Sequence, residues 1–487
     1  MKRFLYLNII LIFAFLLANT SAQNYNDALI LSEPGFYTSA RALSLGNSYT
    51  SMSNDFSGVL FNPAGIGLIK NVQLSGGMNF NAFSNSTTFF NSQTNSSKNA
   101  VSLNQFGIIY PIPTLQGSWV FAIGYNRVKD FNRTLEFDGF NNGNTSMIQD
   151  LTGEFNEQIP ITNDLGLAYE IRDPNTDQYI RDTTLIDGLL NQSGRIRRKG
   201  NIGKWSFSSS VEVARGFFIG GTFNILSGSF KSDKDYWEDD TGDIYGAGLE
   251  LVPGDPTTRD FQSFYLNDII EWNLSGWDAN LGVLYSWQNR FRFGASVKFP
   301  SYFTVKETYY VDATTDFGVS SGYALQPIVD KIEYGIRTPF EYALGASGTF
   351  SIVTLSGDIK IIDYTQMDFN KGFDSQYRIE RKREIEDLFT TVVNLHAGAE
   401  FKFPQTPVLG RFGVMYLPSQ FEGDPSEFDK KYLTAGVGVY LANMFKIDVA
   451  YAYGWWEDFG DNYGVNASRT LQDITVNNFI VNFIVNL

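Results

Sequence analysis

The chain has 487 residues, a formal net charge of −15, no cysteine and a single histidine. The lack of cysteine excludes disulfide scaffolds, thiolate metal sites and lipoprotein anchoring, and so acidic a chain is a poor partner for nucleic acid, whose phosphates need clustered cations. Aromatic residues reach 16%, as expected where one face of each strand meets lipid and the other meets water.

In chain order, Lys2 and Arg3 precede an apolar run over residues 4–18 and then Thr20-Ser21-Ala22. This is a secretory signal over residues 1–22, with cleavage expected near Ala22, before Gln23. No later run reaches the eighteen apolar residues of a helical span, so membrane insertion must use strands. Residues 23–71 carry no strand pattern. Within them residues 40–65 read ARALSLGNSYTSMSNDFSGVLFNPAG, with apolar Leu43, Phe56, Leu60 and Phe61 scattered singly and Gly46, Gly58 and Gly65 marking bends. Compact turns and short helices are expected, in the place where a barrel plug would lie.

Residues 72–487 alternate. Val72, Leu74, Met78 and Phe80 share one face, with Gln73, Ser75, Asn79 and Asn81 on the other, an apolar-out, polar-in strand. The polar stretch FSNSTTFFNSQTNSSKN reads as a loop before a second strand over residues 100–110. The third sets Trp119, Phe121, Ile123 and Tyr125 against Val120, Ala122, Gly124 and Asn126. Long loops near 130–203 and 231–267 follow, too long for a compact soluble domain and expected to be extracellular. The same parity recurs through Trp277 to Trp287, Phe291 to Phe299 and Leu395 to Phe401, and ends in Phe479, Val481, Phe483, Val485 and Leu487. The expected fold is all-β: a 14-stranded antiparallel transmembrane β-barrel in which short and long links alternate.

Little in this pattern suggests chemistry. His396 is expected to point into the lumen, which leaves one candidate for any triad or imidazole metal site. Lumen carboxylates Asp278, Asp358, Glu400 and Asp448 are accompanied by Arg292, Lys298, Lys360, Lys402, Arg411 and Lys446, as cross-strand charge pairing requires. The acidic run from Asp233 to Asp243 does not have EF-hand spacing. Neither a catalytic residue, a metal site nor a cofactor is assigned. Arg195, Arg197, Arg198 and Lys199 could hold lipopolysaccharide phosphates or a substrate carboxylate. Phe261, Phe264, Tyr265, Ile269 and Trp272 recur at helical spacing and are expected to form an apolar capture groove among the extracellular loops.

Residues 40–65, and Asn62, Pro63, Ala64 and Gly65 in particular, resemble the hatch of the FadL/TodX family of outer-membrane transporters for hydrophobic compounds. The resemblance implies a bacterial outer-membrane barrel plugged by an N-terminal hatch, here residues 23–71. It also implies a first capture site among the extracellular loops, a pocket against the hatch, and sideways release through a wall gap at a kink in the third strand. Phe36, Tyr37, Leu43, Phe56, Leu60 and Phe61 are then expected to line that pocket, since an alkyl chain gains about 0.8 kcal/mol per methylene buried. The expected function is diffusive uptake of hydrophobic small molecules such as long-chain fatty acids by a monomer lying in outer-membrane lipid and lipopolysaccharide. A related barrel group with a similar opening serves protein secretion, so a role as a secretion partner or shuttle is the alternative. An outer-membrane enzyme would depend on His396.

Overall fold

The structure, a computed structural model, describes residues 25–35, 39–152, 161–442, 444–464 and 466–487. The expected leader and the candidate residues Phe36 and Tyr37 lie outside them. Fourteen barrel strands follow one another around a closed antiparallel sheet. They are β1 Gln73–Phe89, β2 Ser92–Ile112, β3 Trp119–Asp130 resumed as Arg133–Phe140, β4 Asn191–Ala214, β5 Phe217–Asp239 and β6 Phe261–Trp287. β7 is Phe291–Lys298 resumed as Tyr302–Phe317, β8 is Ile328–Arg337 resumed as Glu341–Phe350, and β9 is Val353–Asp363 resumed as Asp368–Lys371. β10 Thr391–Lys402, β11 Val408–Leu417, β12 Lys430–Leu441, β13 Phe445–Asp461 and β14 Arg469–Asn486 complete the circuit. β14 pairs back onto β1, with Phe80 opposite Phe479, so no edge is left open.

The two faces of this sheet are inverted relative to a soluble protein. Outward residues such as Phe80, Phe121, Phe207, Phe223, Leu281, Leu344, Ile359, Leu395, Val414 and Phe483 are exposed, while inward Asn79, Ser206, Asn224, Asp278, Arg411, Asp448 and Asn482 are buried. An apolar surface continuing round every strand far exceeds the patches that water-soluble monomers tolerate. It is a surface for lipid.

Breaks in β7 and β8 fall at Pro300 and Pro339, which have no N–H to give to a ladder. Ser301 and Thr338 bridge the interruption, the Thr338 N–H donating to the Ser301 carbonyl at 3.0 Å.

Several strands rise well beyond the apolar band. The polar stretch expected to be a loop is instead the top of the β1–β2 hairpin, closed at Phe90 and Asn91, both with positive φ. Strand also extends into both ends of the two long excursions, and residues 240–260 are all that separates β5 from β6. Between β3 and β4 lie helices Met147–Thr152 and Ile161–Asp164 and a separate hairpin, Tyr169–Arg172 with Tyr179–Thr183. Together they form a cap over one end of the barrel with its own apolar core.

That core corrects one expectation. Phe261, Phe264, Tyr265 and Ile269 lie on strand β6, not on a helix. Phe261 and Phe264 are fully buried against neighbours such as Tyr245 and Phe317, and the Tyr265 hydroxyl donates to Asp235 at 2.8 Å. The spacing arose because β6 bulges at Gln262, so that Phe261 and Phe264, three apart, fall on the same buried face, while Tyr265 and Ile269 lie on the other, half-buried one. No capture groove exists at these residues.

Candidate functional site

The N-terminal segment lies inside the cylinder. After helix α1 (Tyr25–Ser32), the chain enters α2 (Ala40–Ser44), α3 (Gly58–Phe61) and a 3₁₀ turn, Pro63–Leu68. Ser39 caps α2 by accepting from the Ala42 N–H at 3.2 Å.

Glycines on the inner wall make room for this segment. Gly107 and Gly124 stand opposite one another on β2 and β3. A Cβ on Gly107 would lie 2.2 Å from the Phe56 ring, and one on Gly124 2.4 Å from it. Phe56 therefore sits in a slot that only glycine can leave. Gly220 faces Pro63, Gly282 and Gly294 face Asn62, Gly345 faces Thr50, and Gly398 and Gly413 face Leu45 and Gly46.

Each residue of the Asn-Pro-Ala-Gly motif has a role in this seat. Asn62 is extended, its Oδ1 accepts from the Ala64 N–H at 3.1 Å, and its Nδ2 donates to the carbonyls of Thr50 and of Val283 on β6, both at 2.9 Å. Pro63 opens the 3₁₀ turn, where no N–H is needed. Ala64 is fully buried and its carbonyl accepts from Ser210 Oγ at 2.9 Å, while a Cβ on Gly65 would strike the Ser53 carbonyl at 2.3 Å.

Polar contacts fix the rest of the segment around the wall. Asp358 on β9 accepts from the N–H groups of Tyr49 at 2.8 Å and Thr50 at 2.6 Å and from Ser48 Oγ. His396 Nδ1 lies 2.8 Å from the Gly46 carbonyl, which it can meet only as a donor, so the lone histidine is a plug contact. Arg41 makes a forked contact with Glu400 at 3.0 and 3.3 Å. Arg411 joins Glu400 to Asp448 at 2.7 Å each, and Lys446 closes the chain on Asp448 at 2.8 Å. Lumen charges thus pair across strands as expected, except that Asp358 serves backbone donors of the plug.

Above the plug are two spaces. A small chamber of about 120 Å³ is bounded by Leu60, Phe61, Lys298, Glu341 and Lys360. Of the expected pocket residues, Leu60 and Phe61 reach it, whereas Leu43 and Phe56 are buried anchors.

A larger cavity of about 710 Å³ lies higher, between α1 and strands β1, β3, β4, β13 and β14. Its walls include Leu29, Ile30, Phe83, Leu135, Ile196, Phe421, Trp456 and Ile474, together with Arg133, Arg198 and Lys430. Lys430 is paired with Glu33 of the N-terminal segment at 2.6 Å. Burial alone would raise the Glu33 carboxyl, but Lys430, Lys129 and Arg133 hold it well below the usual carboxylate range. Arg133 and Arg198 stand directly opposite one another on β3 and β4; Glu33 and Asp458 lie near enough to act on them, but among the described residues no carboxylate forms an ion pair with either. Like charges so placed repel unless an anion joins them. The basic cluster pointed to Arg198, but its partner across the sheet was not readable without the register.

Beside this cavity the hydrogen-bond ladder of the wall is interrupted, although Ser96 on β2 still reaches the Thr134 carbonyl on β3 at 3.4 Å. The β2–β3 ladder stops at Gln105 opposite Asn126, although β2 runs on to Ser92. Both strands bulge at that level, β2 at Asn104 and β3 at Val128, and bulges bend strands apart. Gly35 packs on the Val128 carbonyl so closely that a side chain there would collide with it, and Lys129 Nζ donates to the carbonyls of Ile30 and Glu33 at the end of α1. Outward Leu103 and Val101 beside the seam are exposed and apolar. The glycines of and just before β3, Gly124 and Gly117, lie below it.

No family model matches the chain, and no curated protein matches it. Solved structures do. A Pseudomonas aeruginosa FadL homologue superposes with a TM-score of 0.57 at 11% identity, over 93% of this chain and 99% of that one. The Pseudomonas putida toluene transporter TodX gives 0.52 at 12%, over 94% and 100%. The architecture is that of the FadL-type barrels. The CymD monoaromatic hydrocarbon channel gives 0.50 at 12%, over 92% and 97%. At these identities the likeness to FadL-type barrels concerns the fold, and what this barrel carries has to be argued from its own residues.

Proposed function

We propose that this FadL-type barrel admits hydrophobic small molecules through an outer membrane, holding them in the large cavity, gating them with the N-terminal plug and releasing them sideways at the β2–β3 seam. The observation that carries the reading is one cavity with both apolar and charged walls, flanked by the plug and by the interrupted ladder, inside a cylinder with an apolar outer band. Arg133 and Arg198, which face each other without an ion pair although Glu33 and Asp458 lie nearby, favour an amphiphile with an acidic head, such as a long-chain fatty acid, over a plain hydrocarbon. Two guanidinium groups can hold a carboxylate by charge-assisted bonds, each contributing about 1.5–3 kcal/mol. The lumen lies within one chain, so a monomer suffices. Outward Arg195, Arg197 and Lys199 stand above the apolar band, where lipopolysaccharide phosphates would meet them.

The test is uptake of radiolabelled palmitate and hexadecane by cells carrying the chain or its Arg133→Gln/Arg198→Gln variant. The acid-to-alkane ratio is expected to fall by about tenfold or more. An unchanged ratio would remove the acidic head, and no uptake above that of cells without the chain would remove the transport reading.

A further inference from the structure

The inner wall is not uniformly satisfied. On the β4–β6 side polar groups pair with one another: Ser206 with Asn224 at 2.6 Å, Asn224 with Asp278 at 2.6 Å, Lys204 with Asp278 at 2.5 Å, and Thr222 with Ser208 at 2.8 Å. On the side of the seam they do not. Asn79 on β1 is 1% exposed and neither its Nδ2 nor its Oδ1 has a hydrogen-bond partner. The same holds for Oδ1 of Asn81, Oε1 of Gln105, Nδ2 of Asn126 and Oδ1 of Asn478, on side chains all more than nine-tenths buried.

These amides share one patch. Asn81 is opposite Asn478 across β1–β14, Gln105 is opposite Asn126 across β2–β3, and Gly77, two residues before Asn79, is opposite Gln105. Side chains directly opposite on one face have Cβ atoms about 5 Å apart. The Gln105–Asn126 pair is the last rung before the β2–β3 ladder ends, so the patch forms the lumenal lip of the seam.

Leaving a buried amide atom unbonded costs about 1–3 kcal/mol. A wall that repeats this at several neighbouring positions, at the one place where its own ladder opens, is built for hydrogen bonds supplied from the lumen. Inward neighbours Ser102 and Ile480 carry no charge, and the lysine directly opposite Asn126, Lys204, is already paired with Asp278. A carboxylate would therefore arrive without a free counter-ion, and it brings only acceptors. Four of the six free atoms are amide oxygens, which need a donor, while the Nδ2 groups of Asn79 and Asn126 need an acceptor. A hydroxyl supplies both from one atom.

We propose that Asn79, Asn81, Gln105, Asn126 and Asn478 form a second binding site, at the lip of the seam, for the hydroxylic head of an amphiphile: an alcohol, a phenol, or a carboxylic acid in its neutral form. This rests on the transport reading and adds a sorting step to it. The arginine pair in the cavity takes the charged head, and the amide patch takes the uncharged head on its way to lipid, where a charge could not follow.

The test uses cells carrying the full chain and radiolabelled hexadecanol and hexadecane, which differ by one hydroxyl. Wild type is expected to take up the alcohol about tenfold faster than the alkane, the worth of one or two hydrogen bonds. The ratio should fall towards one in Asn79→Ala/Asn126→Ala, and Asn79→Thr, which keeps a hydroxyl at one position, should retain part of it. Removing unpaired amides does not cost folding energy, and heat-modifiability of the barrel on gels checks that the variants are assembled. If both compounds enter and the variants leave the ratio unchanged, the amides are only solvated by water and this site is overturned while transport stands. If neither enters above cells without the chain, the transport reading fails and the site with it.

Discussion

Substitution of Gly107 by alanine tests the plug seat at its tightest point. The added Cβ would lie 2.2, 2.3 and 2.6 Å from three atoms of the Phe56 ring, where ordinary contact begins near 3.4 Å, so the ring must retreat by about 1 Å. It has nowhere to go, since Phe56 is 1% exposed and backed by Val59 and Ile66. Overpacking of this kind costs about 1–3 kcal/mol. Phe56→Ala should cost more, about 3–5 kcal/mol, because it empties the slot. At 1.4 kcal/mol per factor of ten, the fraction of time the plug is unseated should rise about tenfold in Gly107→Ala and about a hundredfold or more in Phe56→Ala. The double variant should fall short of the sum by about 1–3 kcal/mol, because the new methyl occupies part of the space the ring has left. Single-channel recording in planar bilayers reads the unseated state as conductance. Opening of Gly107→Ala no more frequent than wild type, or strict additivity in the double variant, would mean that Phe56 does not hold the plug against β2 and β3.

Arg41→Met should loosen the plug at its opposite end, by about 1.5–3 kcal/mol, because Glu400 loses the forked contact and keeps only Arg411; Arg41→Lys should rescue little, since a lysine cannot make the forked contact. Protection of residues 39–68 from proteolysis in detergent measures both. Glu238 anchors the cap, accepting from Met147 N–H at 2.7 Å, Gln192 Nε2 at 2.8 Å and Tyr236 Oη at 3.0 Å. Burial pushes its carboxyl up despite the Ser146, Met147 and Tyr236 donors. Its favourable contribution is therefore full below the ordinary value of 4.5 and is lost as pH rises through the higher folded value. Hydrogen exchange at helix Met147–Thr152 should be slower, after correction for intrinsic rates, in mild acid than at neutral pH, and Glu238→Gln should flatten that dependence.

The lipid-facing half of the fold was legible because its constraint is local: every second residue must be apolar over about ten positions, and that period shows in a single strand such as Trp277 to Trp287. Strand height was not legible. Above the membrane the buried face of β1 is itself polar, at Asn85 and Thr87, and β2 is at most half-buried on either face, so Ser84 to Asn99 show no alternation and read as loop, although the ladder continues through Ser84 opposite Ser97 and Thr87 opposite Thr94. A different failure struck Phe261 and Phe264, where a bulge at Gln262 shifted the period of two by one residue. The plug motif was visible as a motif, but its seat is a property of glycines on distant strands. Gly107, Gly220, Gly282 and Gly413 are unremarked singly and meaningful only once the register brings them to one ring. The cavity arginines and the amide lip have the same character, since both depend on which residues stand opposite one another.

The seat also bears on how a plug could move at all. An apolar stopper in an apolar throat would expose its buried area on leaving, at about 25 cal/mol per Å². Here much of the interface is hydrogen bonds between plug backbone and wall side chains: Leu60, Phe61 and Ala64 carbonyls with Asn280, Ser296 and Ser210, and the Tyr49 and Thr50 N–H groups with Asp358. Water can replace each such bond at a net cost of about 0.5–1.5 kcal/mol, and a polar lumen supplies it. Glycine at the contact points brings the backbones together without side chains that must interdigitate and then separate. The apolar part of the seat is concentrated at Phe56, beside the two strands that part at the seam, and at Leu43 on the far wall. A shift that frees Phe56 alone would therefore loosen the plug where the wall opens while leaving the Arg41 end attached, so that lateral release needs only a brief partial gap, recorded as a short small-conductance opening, and not loss of the whole plug.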